Sequence, residues 1–119
     1  MKRLLLLTAA ATSALTILAM WAAGFAALPS KVALENARVK VTEVTYPPGV
    51  PRERHIRPTD QVIVFLDDSR YERIDSGTKE RTVRERKSGE VIWHAKGEDA
   101  PVLKNLGAKP YRTLVIALK

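Results

Sequence analysis

The sequence contains no cysteine among its 119 residues. This absence excludes disulfide bonds, thiolate metal ligands, a cysteine nucleophile and the lipid-modified cysteine of a lipoprotein. Only two histidines are present, and the chain has no HExxH motif, glycine-rich phosphate loop or Ser-His-Asp set. A core of this size without cross-links is marginal, which favours a homodimer that buries additional strand surface.

No charged residue lies between Arg3 and Lys31, after the opening Met-Lys-Arg. A short basic start followed by an apolar segment is typical of a secretory signal. Small residues at Gly24 and Ala26 predict a signal peptide over residues 1–26 and one domain over residues 27–119. The apolar segment is also long enough to be an uncleaved membrane anchor. In either case the domain is expected in the periplasm or outside the cell.

Basic residues outnumber acidic ones, giving a net charge of +7, which falls to +5 when Lys2 and Arg3 leave with the signal. Most charges are interspersed, as on a solvated surface, so nucleic acid is not an expected partner of this exported domain. Two groups of basic residues stand apart from this pattern: Arg52, Arg54 and Arg57, and then Arg81, Arg84, Arg86 and Lys87. In the first group, Arg52 and Arg54 are predicted on the outer face or rim.

No stretch of the mature domain has the period of an amphipathic helix. Short alternating runs separated by glycine and proline predict an all-β sandwich or barrel. The predicted strands cover residues 38–46, 61–66, 69–74, 82–86, 90–94, 102–106 and 111–118, and residues 31–36 form an edge strand or a turn.

The segment that ends in the strand-like run 62–66 is the best candidate for a binding site. It delivers His55, Arg57 and Gln61 beside an apolar interior, which is how a small β-barrel builds a pocket. His55 and Arg57 are two residues apart and share a face of an extended backbone. A guanidinium beside an imidazole and an amide suits a carboxylate or another small anion. The alternative for Arg57 is an ion pair with Asp60 or Glu53.

Several other side chains have both a binding and a structural interpretation. Tyr46 and Trp93 line a pocket and stack on a ligand in one interpretation, and are ordinary core in the other. His94 alternates with Trp93, so we expect it to face solvent or a subunit interface. Asn105 is predicted as a turn residue.

Two stretches of the chain resemble the two motifs of the cupins, a family of small barrels with the double-stranded β-helix or jelly-roll fold. The first cupin motif is matched in its spacing by Gly49 and His55. Other residues occupy its second His, its Glu and its last Gly, in the order Arg57, Gln61 and Asp68.

The second cupin motif is matched at Gly89 and Gly97. The motif's Pro and His positions are occupied by Ala95 and Ala100, and Asn105 stands one residue later than the motif's Asn. The resemblance implies a single-domain cupin-like barrel over most of the mature chain.

The resemblance also implies that His55, Arg57 and Gln61 point into the barrel. Cupins that bind Fe, Mn, Ni or Zn resemble one another in offering three histidines and one glutamate, and of these this chain keeps only His55. Arg57 has no lone pair and carries a positive charge, so it repels a cation at a ligand position. No resident cofactor is therefore expected. The alternative is a divalent metal with His55 as its candidate ligand and His94 as a second imidazole.

These features leave hypotheses of different classes open. The first is an exported cupin-fold protein that binds a small anionic or polar molecule near Arg57. The second is a metal-dependent cupin enzyme, of the oxygenase or isomerase type, with a reduced ligand set built on His55. The third is a structural domain of an envelope assembly that acts through its surface. In all three the membrane is a partner only if the leader is not cleaved.

Overall fold

The structure, a computed structural model, describes residues 28–119, so the predicted signal peptide lies outside the described residues. The described part of the chain is all-β: it holds no helix, and thus none that is long and apolar enough to cross a membrane. Its strands are β1 (Ser30–Glu35), β2 (Val39–Tyr46), β3 (Pro51–Arg52), β4 (His55–Ile56), β5 (Gln61–Phe65), β6 (Ser69–Ile74), β7 (Arg81–Arg86), β8 (Val91–His94), β9 (Asp99–Ala100), β10 (Val102–Asn105) and β11 (Tyr111–Leu118).

The predicted strands are confirmed to within a residue or so at each end. The three two-residue strands β3, β4 and β9 were not predicted. Each is too short to show an alternating pattern, and each exists only because a partner strand lies beside it. β3 pairs with β10, and β4 pairs with β9. These pairings decide where the arginines between Pro51 and Arg57 point.

The strands form two main antiparallel sheets. The first has the order β1-β2-β11-β5-β8, and the second has the order β3-β10-β6-β7. A small two-stranded sheet of β4 and β9 accompanies them. The buried cluster draws Phe65 from the first sheet and Tyr71 from the second, so the core lies between the two sheets.

The first sheet shows the alternation that a half-buried strand requires. In β5, Gln61, Ile63 and Phe65 are buried, and the residues between them are less so. Residues paired across the strands share a face, so Thr113, opposite Phe65, and Val115, opposite Ile63, also point inward. The other set of side chains forms the outer face of this sheet.

All three tyrosines of the chain are buried between the sheets. Tyr46 and Tyr111 stack with ring centroids 4.6 Å apart, and Tyr71 lies 6.2 Å from Tyr111. Phe65 adds a fourth ring, 6.4 Å from Tyr111. Aromatic rings supply most of the buried apolar surface, while the hydroxyls bring polar atoms into the barrel.

Asn105, predicted as a turn residue, is the last residue of β10, and its side chain holds the turn that follows. Its side-chain amide donates to the carbonyls of Tyr46 and Lys109, both at 2.8 Å, and its oxygen accepts from the Gly107 amide at 2.8 Å. Asn105 is 2% exposed, so the side chain ties the turn before β11 to the end of β2.

Three glycines of the cupin-like pattern occupy backbone conformations that favour glycine. Gly49 has a φ of 73°, Gly89 a φ of 87° and Gly97 a φ of 83°, all in the left-handed region. Gly97 donates its amide to the Arg57 carbonyl at 2.9 Å, and the Arg57 amide donates to the Glu98 carbonyl at 3.0 Å. The turn at Gly97 thus holds the backbone of Arg57.

Candidate functional site

Two cavities share a wall inside the barrel. The inner cavity has a volume of about 160 Å³ and lies between the two main sheets. The outer cavity, about 480 Å³, is more open and is lined by His55 and Gln61 among others. The side chains that line both are Tyr46, Arg52, Arg57 and Ile63. Arg52 and Arg57 are therefore each in contact with both cavities.

Arg57, which belongs to this shared wall, contacts Gln61, which lines the outer cavity. Arg57 is 5% exposed, and its Nη1 donates to Gln61 Oε1 at 3.0 Å. Its Nε is buried without a hydrogen-bond partner. Within the described residues no carboxylate lies within 4.0 Å of the guanidinium, so the alternative of an ion pair with Asp60 or Glu53 is wrong. Burial, and then the charge of Arg52, lowers the pKa of Arg57.

The prediction that Arg52 lies on the rim is wrong. The β3–β10 pairing, which sets Arg52 opposite Leu103, turns the side chain inward. There Nη1 donates to the Tyr46 hydroxyl at 3.3 Å, Nη2 donates to the Pro101 carbonyl, and Nε is buried without a partner. Arg54 is exposed on the rim as predicted, with Nε 2.6 Å from the Asp99 carboxylate.

His55 lies at the mouth of the outer cavity. His55 is exposed, and its Nδ1 is 3.4 Å from the Glu53 carbonyl oxygen. It lines the outer cavity together with Arg57 and Gln61, so the structure brings the three predicted residues to one compartment. Neither His55 nor Gln61 lines the inner cavity. Partial burial, and more weakly the charges of Arg52 and Arg57, lower the pKa of His55, which favours neutral imidazole.

The predicted orientation of β8 is reversed. Trp93 is 56% exposed on the outer face, so it lines neither cavity and is not core. His94, expected to face outward, lines the inner cavity and hydrogen-bonds to Glu98 Oε1 at 2.9 Å. The reason is the register with β5, in which the buried Gln61 lies opposite His94 and Val62 lies opposite Trp93. Alternation alone does not say which set of a four-residue strand points inward. Tyr46, the other aromatic side chain with a predicted pocket-lining role, does line both cavities.

The inner cavity carries more positive than negative charge. Five arginines line it, namely Arg52, Arg57, Arg73, Arg84 and Arg86. Of these, Arg86 alone has a carboxylate within 4.0 Å among the described residues, that of Glu90 at 2.8 Å. The guanidinium of Arg86 also lies over the Phe65 ring, 5.9 Å from its centroid, and donates to the Tyr71 hydroxyl.

The two carboxylates that line the inner cavity, Glu98 and Asp99, pair with residues other than the arginines that line it. The hydrogen bond with His94 lowers the pKa of Glu98. The hydrogen bond from Ser76, followed by that from Arg54, lowers the pKa of Asp99. Both side chains are therefore ionised near neutral pH, and neither lies within 4.0 Å of an arginine that lines the cavity.

The sequence pointed to Arg57 and missed most of the other arginines of the cavity. One signal was present, the alternation of Arg84 and Arg86 in a strand-like run. Their cross-strand partners are Tyr71 and Ser69, both buried, which turns the two arginines inward. Deciding the face required the register of β6 with β7, which the alternation within one strand does not give.

Two antiparallel sheets face each other around the interior, and solved cupin structures share this arrangement, so the chain has the cupin, or double-stranded β-helix, fold. The crystal structure of a cupin domain from Bordetella pertussis Tohama I matches it with a TM-score of 0.68. The match has 21% sequence identity and covers 79% of this chain and 95% of that one. At this identity the likeness shows the fold alone.

Solved enzymes share this fold with the chain. The polyketide cyclase RemF from Streptomyces resistomycificus matches with a TM-score of 0.60 at 21% identity, covering 75% of this chain and 63% of RemF. The DMSP lyase DddQ from Ruegeria pomeroyi DSS-3 matches with a TM-score of 0.59 at 14% identity, covering 77% of this chain and 47% of DddQ. Because one fold serves different activities, function must be argued from the site.

No protein-family profile matches the sequence. No curated protein sequence is significantly similar to it.

The cupin metal positions of this chain do not fit a divalent ion. Arg57 has no lone pair, Ala100 has no donor, and the oxygen of Gln61 accepts from Arg57. Within residues 28–119, no group of three or more His, Asp or Glu side chains is placed to hold a metal. This donor set disagrees with the metal chemistry that the fold family otherwise implies.

We expect the protein, purified without an affinity tag, to contain far less than one equivalent of Fe, Mn, Ni or Zn. Elemental analysis of the purified protein measures this directly. One equivalent of metal that disappears in His55→Ala would contradict the expectation and support a metal-dependent enzyme.

Proposed function

We propose that this protein is an exported binding protein for a small anionic molecule, bound at the wall that Arg52 and Arg57 form between the two cavities. The observation that carries the proposal is the arginine lining of the inner cavity. Four of its five arginines have no carboxylate within 4.0 Å in the described part of the chain. A bound anion supplies the missing counter-charge.

Arg57 is buried and Arg52 is half-buried, so both guanidinium groups have lost contact with water. Removing a guanidinium from water is unfavourable unless acceptors replace the lost hydration. Arg57 has one neutral acceptor in Gln61, and Arg52 has a hydroxyl and a carbonyl. Each also has a buried Nε without a partner. A carboxylate that approaches both guanidinium groups offsets their mutual repulsion and accepts several charge-assisted hydrogen bonds.

The size of the inner cavity restricts the ligand. A cavity of about 150 Å³ holds a benzene-sized molecule, and the inner cavity has about 160 Å³. Its walls combine the arginines with the rings of Tyr46, Tyr71 and Tyr111. The lining therefore favours a carboxylate on a ring or on a short carbon chain.

The polar residues at the two cavities have different roles in binding. Arg52 and Arg57 bind the anion, and Gln61 orients Arg57 through its hydrogen bond. Tyr46 holds Arg52 through its hydroxyl. His55 lies at the mouth of the outer cavity, where it contacts the ligand on entry. Trp93, which is exposed on the outer face, has no part in binding.

Thermal unfolding with and without ligand tests the proposal. A ligand of the folded state at 100 times its Kd stabilises by about 2.7 kcal/mol, which raises the Tm of a domain of this size by roughly 10–20 °C. Benzoate in excess is therefore expected to raise the Tm. Benzamide has the same ring without the charge, and chloride at equal ionic strength controls for screening. Equal shifts with benzoate and benzamide, or no shift with any of a series of small carboxylates and phosphate, would refute an anion site.

Export is the second part of the proposal and has its own test. The uncharged segment before Lys31, with small residues at Gly24 and Ala26, supports cleavage after Ala26 and release into the periplasm or the medium. Intact-mass measurement of the native protein after fractionation is expected to give the mass of residues 27–119 in the soluble fraction. A full-length species in the membrane fraction would show an anchored protein instead.

A further inference from the structure

Arginines reach the inner cavity from two separate places. Arg52 and Arg57, which we call the wall pair, belong to the wall shared with the outer cavity. Arg73 and Arg84, which we call the far pair, line the inner cavity but not the outer one. Neither member of the far pair has a carboxylate within 4.0 Å among residues 28–119. The cavity therefore has an uncompensated cationic group at a second place.

Strand pairing in the second sheet turns the far pair toward the cavity. Arg52 of β3 and Arg73 of β6 both lie opposite Leu103 of β10, one on each side of it. Residues directly opposite each other share a face of the sheet, so Arg73 points inward together with Arg52. Arg84 of β7 lies opposite the buried Tyr71 and shares the same face. Three of these arginines thus line one side of the cavity, from β3 across to β7.

The two pairs are far enough apart to bind different groups of one small ligand. With strands about 4.8 Å apart, the two steps from β3 to β6 put the Cα atoms of Arg52 and Arg73 roughly 10 Å apart. Arg84 lies one strand further and two residues along, so its Cα is roughly 16 Å from that of Arg52. The side chains of both pairs line the same cavity of about 160 Å³. One ligand inside it therefore contacts both pairs.

We propose that the ligand of the inner cavity is a small dicarboxylate, with one carboxylate bound by the wall pair and the other by the far pair. The inference rests on the proposed anion site and adds a second charged end to it. A monocarboxylate at the wall pair leaves the far pair without a counter-charge, whereas a dicarboxylate supplies one at each end. A four-carbon dicarboxylate such as succinate has fewer non-hydrogen atoms than benzoate, so it fits the same volume.

Two buried hydroxyls lie along the path between the pairs. The Tyr111 ring lies 4.6 Å from that of Tyr46, beside the wall pair, and 6.2 Å from that of Tyr71, beside the far pair. The hydroxyls of Tyr111 and Thr113 have no hydrogen-bond partner within the described part of the chain, and both side chains line the inner cavity. A buried hydroxyl without a partner is unfavourable. A ligand that spans the cavity supplies carboxylate oxygens as acceptors for both.

The acidic side chains near the cavity do not take the place of the second carboxylate. Glu98 and Asp99 line the cavity but pair with residues outside both arginine pairs. The carboxylate of Asp75, in the turn that follows β6, accepts from the amides of Gly77 at 3.0 Å and Thr78 at 2.8 Å. The far pair therefore keeps its positive charge available to a ligand.

Titration calorimetry with succinate and butyrate at constant ionic strength tests the inference. The two molecules have the same number of carbons, and butyrate lacks the second carboxylate. Succinate is expected to bind at least about 10-fold more tightly, since one hydrogen bond to a charged group strengthens binding by about that factor. Arg84→Met is expected to remove most of this preference. Arg84 is exposed, so the circular dichroism spectrum of the variant should match that of the wild type.

Arg81→Met is the matched control. Arg81 lies on the same strand as Arg84, but on its opposite face, where it is 3.3 Å from Glu72 Oε1. The variant removes the same charge away from the cavity, so the preference for succinate should stay as in the wild type.

Three results would overturn the inference, and they have different consequences for the anion site. Equal Kd values for succinate and butyrate would remove the second charged end and leave the anion site at the wall pair standing. An equal loss of preference in Arg84→Met and Arg81→Met would show a general effect of protein charge instead of a contact. Binding of neither ligand, nor of benzoate, would refute the anion site itself and the dicarboxylate with it.

Discussion

Arg57→Met is expected to abolish the stabilisation that a small carboxylate gives the wild-type protein. Methionine keeps most of the apolar stem but removes the charge that faces both cavities. The fold should survive, because the variant also removes a buried cation with no counter-ion, although Gln61 loses its partner. The benzoate-dependent rise in Tm should fall from roughly 10–20 °C to near zero.

Two further arginine variants sharpen this experiment. Arg54→Met is the matched control, because Arg54 is exposed and paired with Asp99 on the rim, so the benzoate shift should stay as in the wild type. Arg52→Met should reduce the shift, since Arg52 faces the same two cavities. Equal benzoate shifts in the wild type and Arg57→Met would show that Arg57 is a structural charge, and the binding site would lose its centre.

Tyr111→Ala is expected to destabilise the domain by about 3–5 kcal/mol, a large share of the total for a single small domain. The Tyr111 ring is 2% exposed and stacks within 6.4 Å of three other rings, so alanine leaves a cavity at the centre of the core. Urea unfolding followed by circular dichroism measures the loss. A decrease of less than about 1 kcal/mol in the free energy of unfolding would show that the four rings contribute little to the stability of the core.

Tyr111→Phe separates the ring from its hydroxyl. The hydroxyl is buried without a hydrogen-bond partner, and burial raises its pKa. An unpaired buried hydroxyl costs roughly 1–3 kcal/mol, so phenylalanine should leave the stability unchanged or raise it. A clear destabilisation by Tyr111→Phe would mean that the hydroxyl has a partner inside the barrel, such as water.

The fold was largely predictable because its signals are local. Alternation over residues 38–46 and 61–66, and turns at Gly49 and Asn105, identify strands without knowledge of their partners. The glycine pattern then distinguishes a cupin-like barrel from other all-β folds. Strands as short as β3, β4 and β9 carry no such signal, since two residues have no period.

The candidate site was predictable only where residues close in the chain meet. Arg57 and Gln61 are four residues apart, and their contact follows from a turn between them. Arg52, Arg84 and His94 lie on three different strands, β3, β7 and β8. Each faces the inner cavity because of the residue paired with it on the neighbouring strand. Their inward orientation therefore depends on registers that alternation leaves undefined.

The sequence by itself determined an all-β chain, its main strands and turns, the replacement of the cupin metal ligands, and Arg57 as the central candidate. Only the tertiary structure decided that Arg52 turns inward, that Trp93 faces outward and His94 inward, and that arginines line the inner cavity. The physical reason is the two-residue period of a strand. Alternation separates two sets of side chains, but the pairing of strands from distant parts of the chain decides which set is enclosed.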